Sequence, residues 1–271
     1  YWGVLEPSGD DFAYDCAYRY ISPVGADGTV YLETVGDWEN DVASSAAIVD
    51  KSGRVQAYAA FTDSVCRAAS ERFVPVKENG TWHYYDCESG AFTDETYDEA
   101  AAVTDSVAAV KQGAVWHLKN IVDGTEADTA FTDVKLFDTG EYVYDGNLLA
   151  AENGVYGLYT QKGKKASEIP GTAVDVYRGE AIAFRAESGL WGFADAKGKV
   201  VIEPQYENAK SFSGHMAAVC MDGLLGFVNT DGKLVIDCQY ADAGYFNADG
   251  VCFVSMIEGS YFPITLRFPQ K

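Results

Sequence analysis

The feature that most narrows what this chain can fold into is a glycine followed by an aromatic or apolar residue and usually a second glycine, returning about every 36 residues. It is clearest in Gly189-Leu190-Trp191-Gly192-Phe193 and Gly223-Leu224-Leu225-Gly226-Phe227. The two units stay in register through Tyr206 and Tyr240, then through Ala209 and Phe212 against Ala243 and Phe246. Apolar runs Met216–Met221 and Val251–Ile257 close them. A unit this short cannot bury its own apolar face, so it must stack on copies of itself.

Further copies extend towards the start of the chain. Gly154, Tyr156, Gly157 and Gly163 keep the same spacing, as do Trp2-Gly3 and Gly9. Trp82 and Trp116 mark weaker copies in which His83 and His117 take the place of the second glycine, and Ala46-Ala47 before Asp50-Lys51-Ser52-Gly53 marks another. The spacing predicts one repeat domain over residues 1–271, of about seven units, starting near Tyr1, Ser44, Gly80, Gly113, Gly154, Gly189 and Gly223, with a terminal strand over 259–268. Residues 10–43 read as insertions and as a place for a partner-specific surface.

Turn chemistry assigns the strands. Asn79-Gly80, Asn153-Gly154 and Asp222-Gly223 favour type I′ hairpins, in which both central residues take positive φ. Each joins the closing strand of one unit to the first strand of the next. Inside a unit, Asp50 to Gly53 and Asp195 to Gly198 place a side-chain acceptor at the start of a turn and a permissive glycine at its end. The expectation is an all-β chain of small three-stranded antiparallel meanders. A propeller-like ring is preferred over an open β superhelix, because Trp2–Leu5 and Tyr261–Phe268 could complete one composite sheet. The Ala-rich run from Asp98 to Val103 is the one stretch that suggests a turn of helix.

The structural signature comprises Trp2, Gly3, Trp82, Trp116, Tyr156, Gly157, Trp191, Gly192, Leu225 and Gly226. Its glycines read as places where a missing Cβ lets another backbone or a ring come close. Its aromatics read first as wedges between sheets, and second as a ladder for stacking sugars. The spacing itself predicts no catalytic, cofactor or metal site: there is no Gly-x-Ser-x-Gly elbow, phosphate loop or His-Glu-x-x-His. Of the three histidines, His83, His117 and His215, the first two fall on neighbouring units, where a shared metal site is conceivable, but without a paired cysteine or acidic ligand motif they read as structural. The six cysteines have no metal-ligand spacing and read as free thiols, with an inter-sheet disulfide open to a secreted chain.

With 41 acidic against 20 basic residues, the net charge of −21 repels phosphate backbones and anionic membrane surfaces. No run of 18 apolar residues is present, so membrane insertion by a helix is not expected. The chain opens on Tyr1 without a methionine, which reads as a processed or trimmed chain from which any export signal would have been removed.

These residues together resemble the bacterial WG-repeat family, whose units read Gly-x-Trp-Gly-Tyr/Phe-Ile-Asp-x-x-Gly-Lys-x-Val-Ile-x-Pro-x-Tyr. The unit from Gly189 fits almost throughout, and that from Gly223 follows it. The resemblance implies an interaction or surface module, exported or attached to the bacterial cell envelope, and supplies no catalytic motif. The functional expectation is a non-enzymatic repeat scaffold that binds a protein or another ligand without a cofactor. A glycan-binding or glycan-processing β-propeller is the alternative, suggested by 5 Trp and 18 Tyr in an acidic frame. A structural spacer is the third reading.

Overall fold

The computed structural model describes residues 2–5, 12–36, 43–247, 249–257 and 259–266, with side chains from Tyr18 onward. Among these residues the chain is all-β and forms seven small antiparallel sheets. It falls into two compact units, one of Tyr1–Ala130 with Leu136–Tyr142 and the other of Phe131–Lys135 with Val143–Lys271.

The sixth sheet shows the common plan. Asn208–Ala209, Met216–Met221, Leu224–Asn229 and Leu234–Tyr240 lie side by side in chain order, as short, closing, first and second strands. The expected three-stranded meander is therefore present, and a two-residue short strand is added to it. Two residues are too few to show any periodicity in sequence. This strand forms because Asn208 and Ala209 lie against Cys220 and Val219 of the closing strand. The Ala-rich run at 98–103 is the same element: Glu99–Ala100 pairs with the closing strand of the third sheet and is not helical.

Local sequence accounts for the hairpins. Asn79, Asn153 and Asp222 have φ of 50°, 51° and 52°, and the glycines after them have φ of 88°, 81° and 76°. Both central positions of each turn are left-handed, a conformation that asparagine, aspartate and glycine tolerate. In the inner loops, Asp195 Oδ1 accepts from Lys197 N and Lys199 N, each at 2.9 Å. Asp50 and Asn229 hold their loops in the same way.

The ends of the chain depart from the plan. The first sheet has five strands, because Phe12–Ile21 occupies the short-strand place beside Val30–Thr34 and Trp2–Leu5 adds to its far side. Residues read as insertions are thus sheet strands at 12–21 and 30–34, while 10–11 and 37–42 lie outside the described residues. Trp2–Leu5 takes Phe12–Ile21 as its described partner. The seventh sheet has three strands, Asp242–Ala243, Val251–Ile257 and Ser260–Thr265.

Within each unit, the core lies between successive sheets. Strand alternation turns Ala217 and Val219 towards Phe193 and Ile202 of the fifth sheet, and Met216 and Ala218 towards Cys252 and Val254 of the seventh. Phe212 and Phe246 each meet the phenylalanine of the first strand edge-on, at 4.8 Å from Phe193 and 5.0 Å from Phe227. The periodic aromatics are the teeth that hold one sheet on the next.

Candidate functional site

The signature residues serve packing wherever their side chains are described. Trp82 and Trp116 are buried, at 4% and 6% exposure, and offer no open face to a sugar. Trp82 is clamped among Phe73, Tyr84, Tyr97 and Ala100, between the second and third sheets. The Arg67 guanidinium lies 4.2 Å from its ring centroid. Tyr156, Trp191 and Leu225 are half-buried against the same inter-sheet cores. The Tyr156 hydroxyl donates to Asp133 at 2.8 Å. Trp2 and Gly3 lie in the first strand, and the Trp2 side chain is outside the described residues.

The signature glycines are places of close backbone approach. A Cβ on Gly192 would lie 2.6 Å from the Ile202 carbonyl oxygen, and one on Gly226 would lie 2.5 Å from that of Ile236. Gly157 stands in the same relation to the Ser167 carbonyl oxygen, also at 2.5 Å. In each case the second strand bends across the first at an irregularity in the ladder. Where the second strand is shorter, as in Ala91–Phe92, His83 fits the glycine position and its ring stacks on Phe92 at 3.9 Å.

The histidines are not brought together into a metal site. His83 Nε2 lies 3.4 Å from Glu78, His117 Nδ1 lies 3.7 Å from Glu126, and His215 Nδ1 lies 3.3 Å from Glu180. Among the described residues no cluster of three or more His, Cys, Asp or Glu is arranged to hold a metal ion. Cys66, Cys87, Cys220, Cys238 and Cys252 are free thiols. Burial raises the thiol pKa of Cys66, and it pushes that of Cys87 up to about 12, so neither is an activated nucleophile.

The feature that sequence spacing missed lies in the first unit, where the loops between short and closing strands converge with the segment Leu136–Tyr142. That segment acts as a strap: Thr139 O accepts from Ala68 N and Gly140 O from Ala102 N, each at 2.9 Å. The Tyr142 hydroxyl donates to Val107 O at 3.1 Å. Gly140 has a φ of 90°, and a Cβ there would overlap the Arg67 side chain. The loops enclose a cavity of about 220 Å³. Small side chains, Ala26, Ala68, Ala69 and Ala102, leave the space, and Asp27, Asp105 and Glu141 line it with carboxylates. Ser70 and Thr104 add hydroxyls.

Two of these carboxylates are held in place. Asp27 accepts from Thr29 N at 2.8 Å and from Glu71 N at 3.0 Å, tying one loop to the next. Glu141 accepts from the Thr139 hydroxyl at 3.1 Å. Asp105 has a φ of 49° in a left-handed turn. Fixed acceptors around a small-residue floor suit a compact hydrogen-bond donor of positive charge. The sequence signal is slight: alanines close to an acid, as in Ala26-Asp27 and Ala68-Ala69-Ser70-Glu71, look the same as ordinary solvated turns.

The corresponding loops of the second unit are filled by side chains instead. Asp175 accepts from Ser211 N at 2.6 Å and from the Tyr245 hydroxyl at 2.8 Å. The Arg178 guanidinium covers the Tyr245 ring at 3.9 Å. Lys210 Nζ donates to Ala243 O at 2.6 Å. The same loop position thus forms an acid-lined cavity in one unit and a closed polar brace in the other.

Comparison with known proteins places part of this architecture. The model of the WG containing repeat matches twice in tandem, at residues 191–224 and 226–259. No curated protein matches the chain in sequence. BamB from Moraxella catarrhalis is similar in structure, with a TM-score of 0.52 and 15% identity over 92% of this chain and 86% of that one. Hsv2 from Kluyveromyces lactis gives a TM-score of 0.49 and 9% identity over 93% of this chain and 98% of that one. At such identities the likeness to BamB shows the fold alone, a propeller-like array of small β-sheets. Among the described residues no helix is long and apolar enough to cross a membrane.

Proposed function

We propose that this chain is a non-enzymatic repeat scaffold, working at the bacterial cell envelope or outside the cell, that binds a protein partner through a basic group. The observation that carries this reading is the cavity of about 220 Å³ in the first unit, lined by Asp27, Asp105 and Glu141. A lysine or arginine side chain is the common protein group that brings both positive charge and several donors to such a space. The net charge of −21 adds a long-range attraction for basic partners and repels nucleic acid. Loops on a rigid β frame are the usual carriers of binding function. The repeat match at residues 191–259 supports a scaffold rather than a reaction centre. The glycan reading is weakened by the burial of Trp82 and Trp116.

The test is fluorescence anisotropy of a labelled lysine- and arginine-rich peptide titrated with the protein at low and at high salt. Binding is expected to weaken as salt rises. The double variant Asp105→Asn, Glu141→Gln is expected to lose about tenfold in affinity, the size of one well-placed charge interaction of about 1.4 kcal/mol. Absence of binding, or binding that the double variant leaves unchanged, sinks the basic-partner reading. Turnover of a cell-wall glycan by the purified chain would sink the non-enzymatic one.

A further inference from the structure

The strap Leu136–Tyr142 is built differently from the sheets around it. It lies outside every strand, so no ladder holds it. Gly140 and Tyr142 are its buried residues, and the others are half-buried or exposed. The strap turns back on itself: Phe137 N donates to Glu141 O and Gly140 N to Phe137 O, each at 2.8 Å. It is fastened to the first unit by the Ala68 and Ala102 amides, which come from two different loops, and by the Tyr142 hydroxyl on Val107 O. A segment held by isolated hydrogen bonds and one buried ring opens more readily than the ladders beside it.

Gly140 sets where the strap sits. Its φ of 90° is open to glycine and strained for other residues, and a Cβ would overlap the Cβ, Cγ and Cδ atoms of Arg67. Arg67 is itself pinned: its guanidinium bonds Glu99 at 2.6 Å and Ala100 O, and it covers the Trp82 ring at 4.2 Å. The residue after Gly140 is Glu141, which the strap carries to the cavity and the Thr139 hydroxyl holds at 3.1 Å. The facing acids, Asp27 and Asp105, stand on loops that are not part of the strap.

We propose that the strap is a movable wall whose closing is coupled to the filling of the cavity, with Gly140 as the positioning residue for Glu141. This rests on the reading of the cavity as the seat of a basic group. A cation between Glu141 and the two loop acids is attracted from both sides of the gap, so it binds the closed strap better than the lifted one. That difference in affinity moves the strap towards its closed position. The coupling is reciprocal, so contacts that hold the strap down also strengthen binding. When the strap lifts, Glu141 leaves the cavity, and the Ala68 and Ala102 amides lose their acceptors.

Amide hydrogen exchange, read residue by residue by NMR with the lysine- and arginine-rich peptide as probe, tests the coupling. The Ala68 and Ala102 amides report the strap, because Thr139 O and Gly140 O are their acceptors. At free peptide ten times its Kd, their exchange should slow about tenfold, because the strap then lifts only in the peptide-free fraction. In the double variant Asp105→Asn, Glu141→Gln the same peptide concentration should slow it less. Gly140→Ala should speed exchange at these two amides, leave the ladder amides of Phe73–Glu78 unchanged, and weaken peptide binding, since a strap pushed off Arg67 takes Glu141 with it. If that variant does not fold, Tyr142→Phe, which removes the hydroxyl bond to Val107 O, takes its place with the same direction of change. A peptide that binds without slowing exchange at Ala68 and Ala102 overturns the movable wall and leaves the basic-partner reading standing. A Gly140→Ala protein with parental exchange and affinity does the same. Absence of peptide binding overturns both.

Discussion

Replacing Gly226 by alanine gives a test in which the sign of the effect decides. At an uncrowded strand position, alanine restricts the unfolded chain and stabilises the fold by about 0.4–1 kcal/mol. At Gly226 the added methyl would stand 2.5 Å from Ile236 O, 2.7 Å from Cys238 N and 2.9 Å from Asp237 C, all backbone atoms of the second strand. Backbone cannot swing aside as the end of a flexible side chain can, so the strand must move. Overpacking a filled site costs about 1–3 kcal/mol. A ladder hydrogen bond lost as the strands separate adds about 0.5–1.5 kcal/mol. After subtracting the unfolded-state gain, the net destabilisation is about 0.5–4 kcal/mol. The assay is urea unfolding followed by far-UV circular dichroism, with a thermal melt alongside. The variant should show a lower urea midpoint and a melting temperature lower by several degrees. A variant as stable as the parent, or more stable, would refute the close-approach argument and leave the glycine without a packing role.

Two other outcomes follow from the packing and the turns. The Asp50 carboxyl accepts hydrogen bonds from the Ser52 hydroxyl, the backbone N–H groups of Arg54 and Ser52, and Gln56, and these hold its pKa down to about 2. A depressed folded-state value means that the loop is stabilised above the unfolded carboxyl range near pH 4 and that this contribution is lost as pH falls through about 2. An NMR titration of this carboxyl should show a midpoint near 2, and a midpoint near 4 would contradict the hydrogen-bonded loop. Trp82→Ala should cost about 3–5 kcal/mol, the range for removing a buried aromatic ring. Urea unfolding measures that loss, and a loss under about 1 kcal/mol would show that the ring is not clamped between sheets.

The parts of the fold set by local chemistry were readable from sequence. Both residues of Asn79-Gly80, Asn153-Gly154 and Asp222-Gly223 must tolerate positive φ, so the turns could be assigned before the strands they join. The repeat period then supplied the stacking. Elements set by tertiary contact were not readable. Val65–Cys66 and Asn208–Ala209 are strands only because a closing strand lies beside them. Phe12–Ile21 departs from the repeat pattern, yet it pairs with Val30–Thr34 as a short strand would. The cavity of the first unit is assembled from four separate stretches of chain, each of which resembles an ordinary polar loop. Its acids stand tens of residues apart, and the strap at Leu136–Tyr142 and the Asp27 bridge tie their loops together. The same limit applies to Asp175 and Tyr245, 70 residues apart and in contact.

The strap also governs how this molecule can be divided. The backbone passes from one unit to the other after Ala130, returns after Lys135, and leaves again after Tyr142. No single cut therefore separates the units. A fragment ending at Ala130 lacks the Thr139 and Gly140 carbonyls that Ala68 and Ala102 need. A fragment starting at Val143 lacks Phe131, whose ring meets Tyr159 edge-on at 4.8 Å, and Asp133, which receives the Tyr156 hydroxyl. A cut between Lys135 and Leu136, both half-buried, would leave two pieces, each holding part of both units and joined by the hydrogen bonds of the strap. Nicked and intact protein would then migrate alike under native conditions and differ only after denaturation.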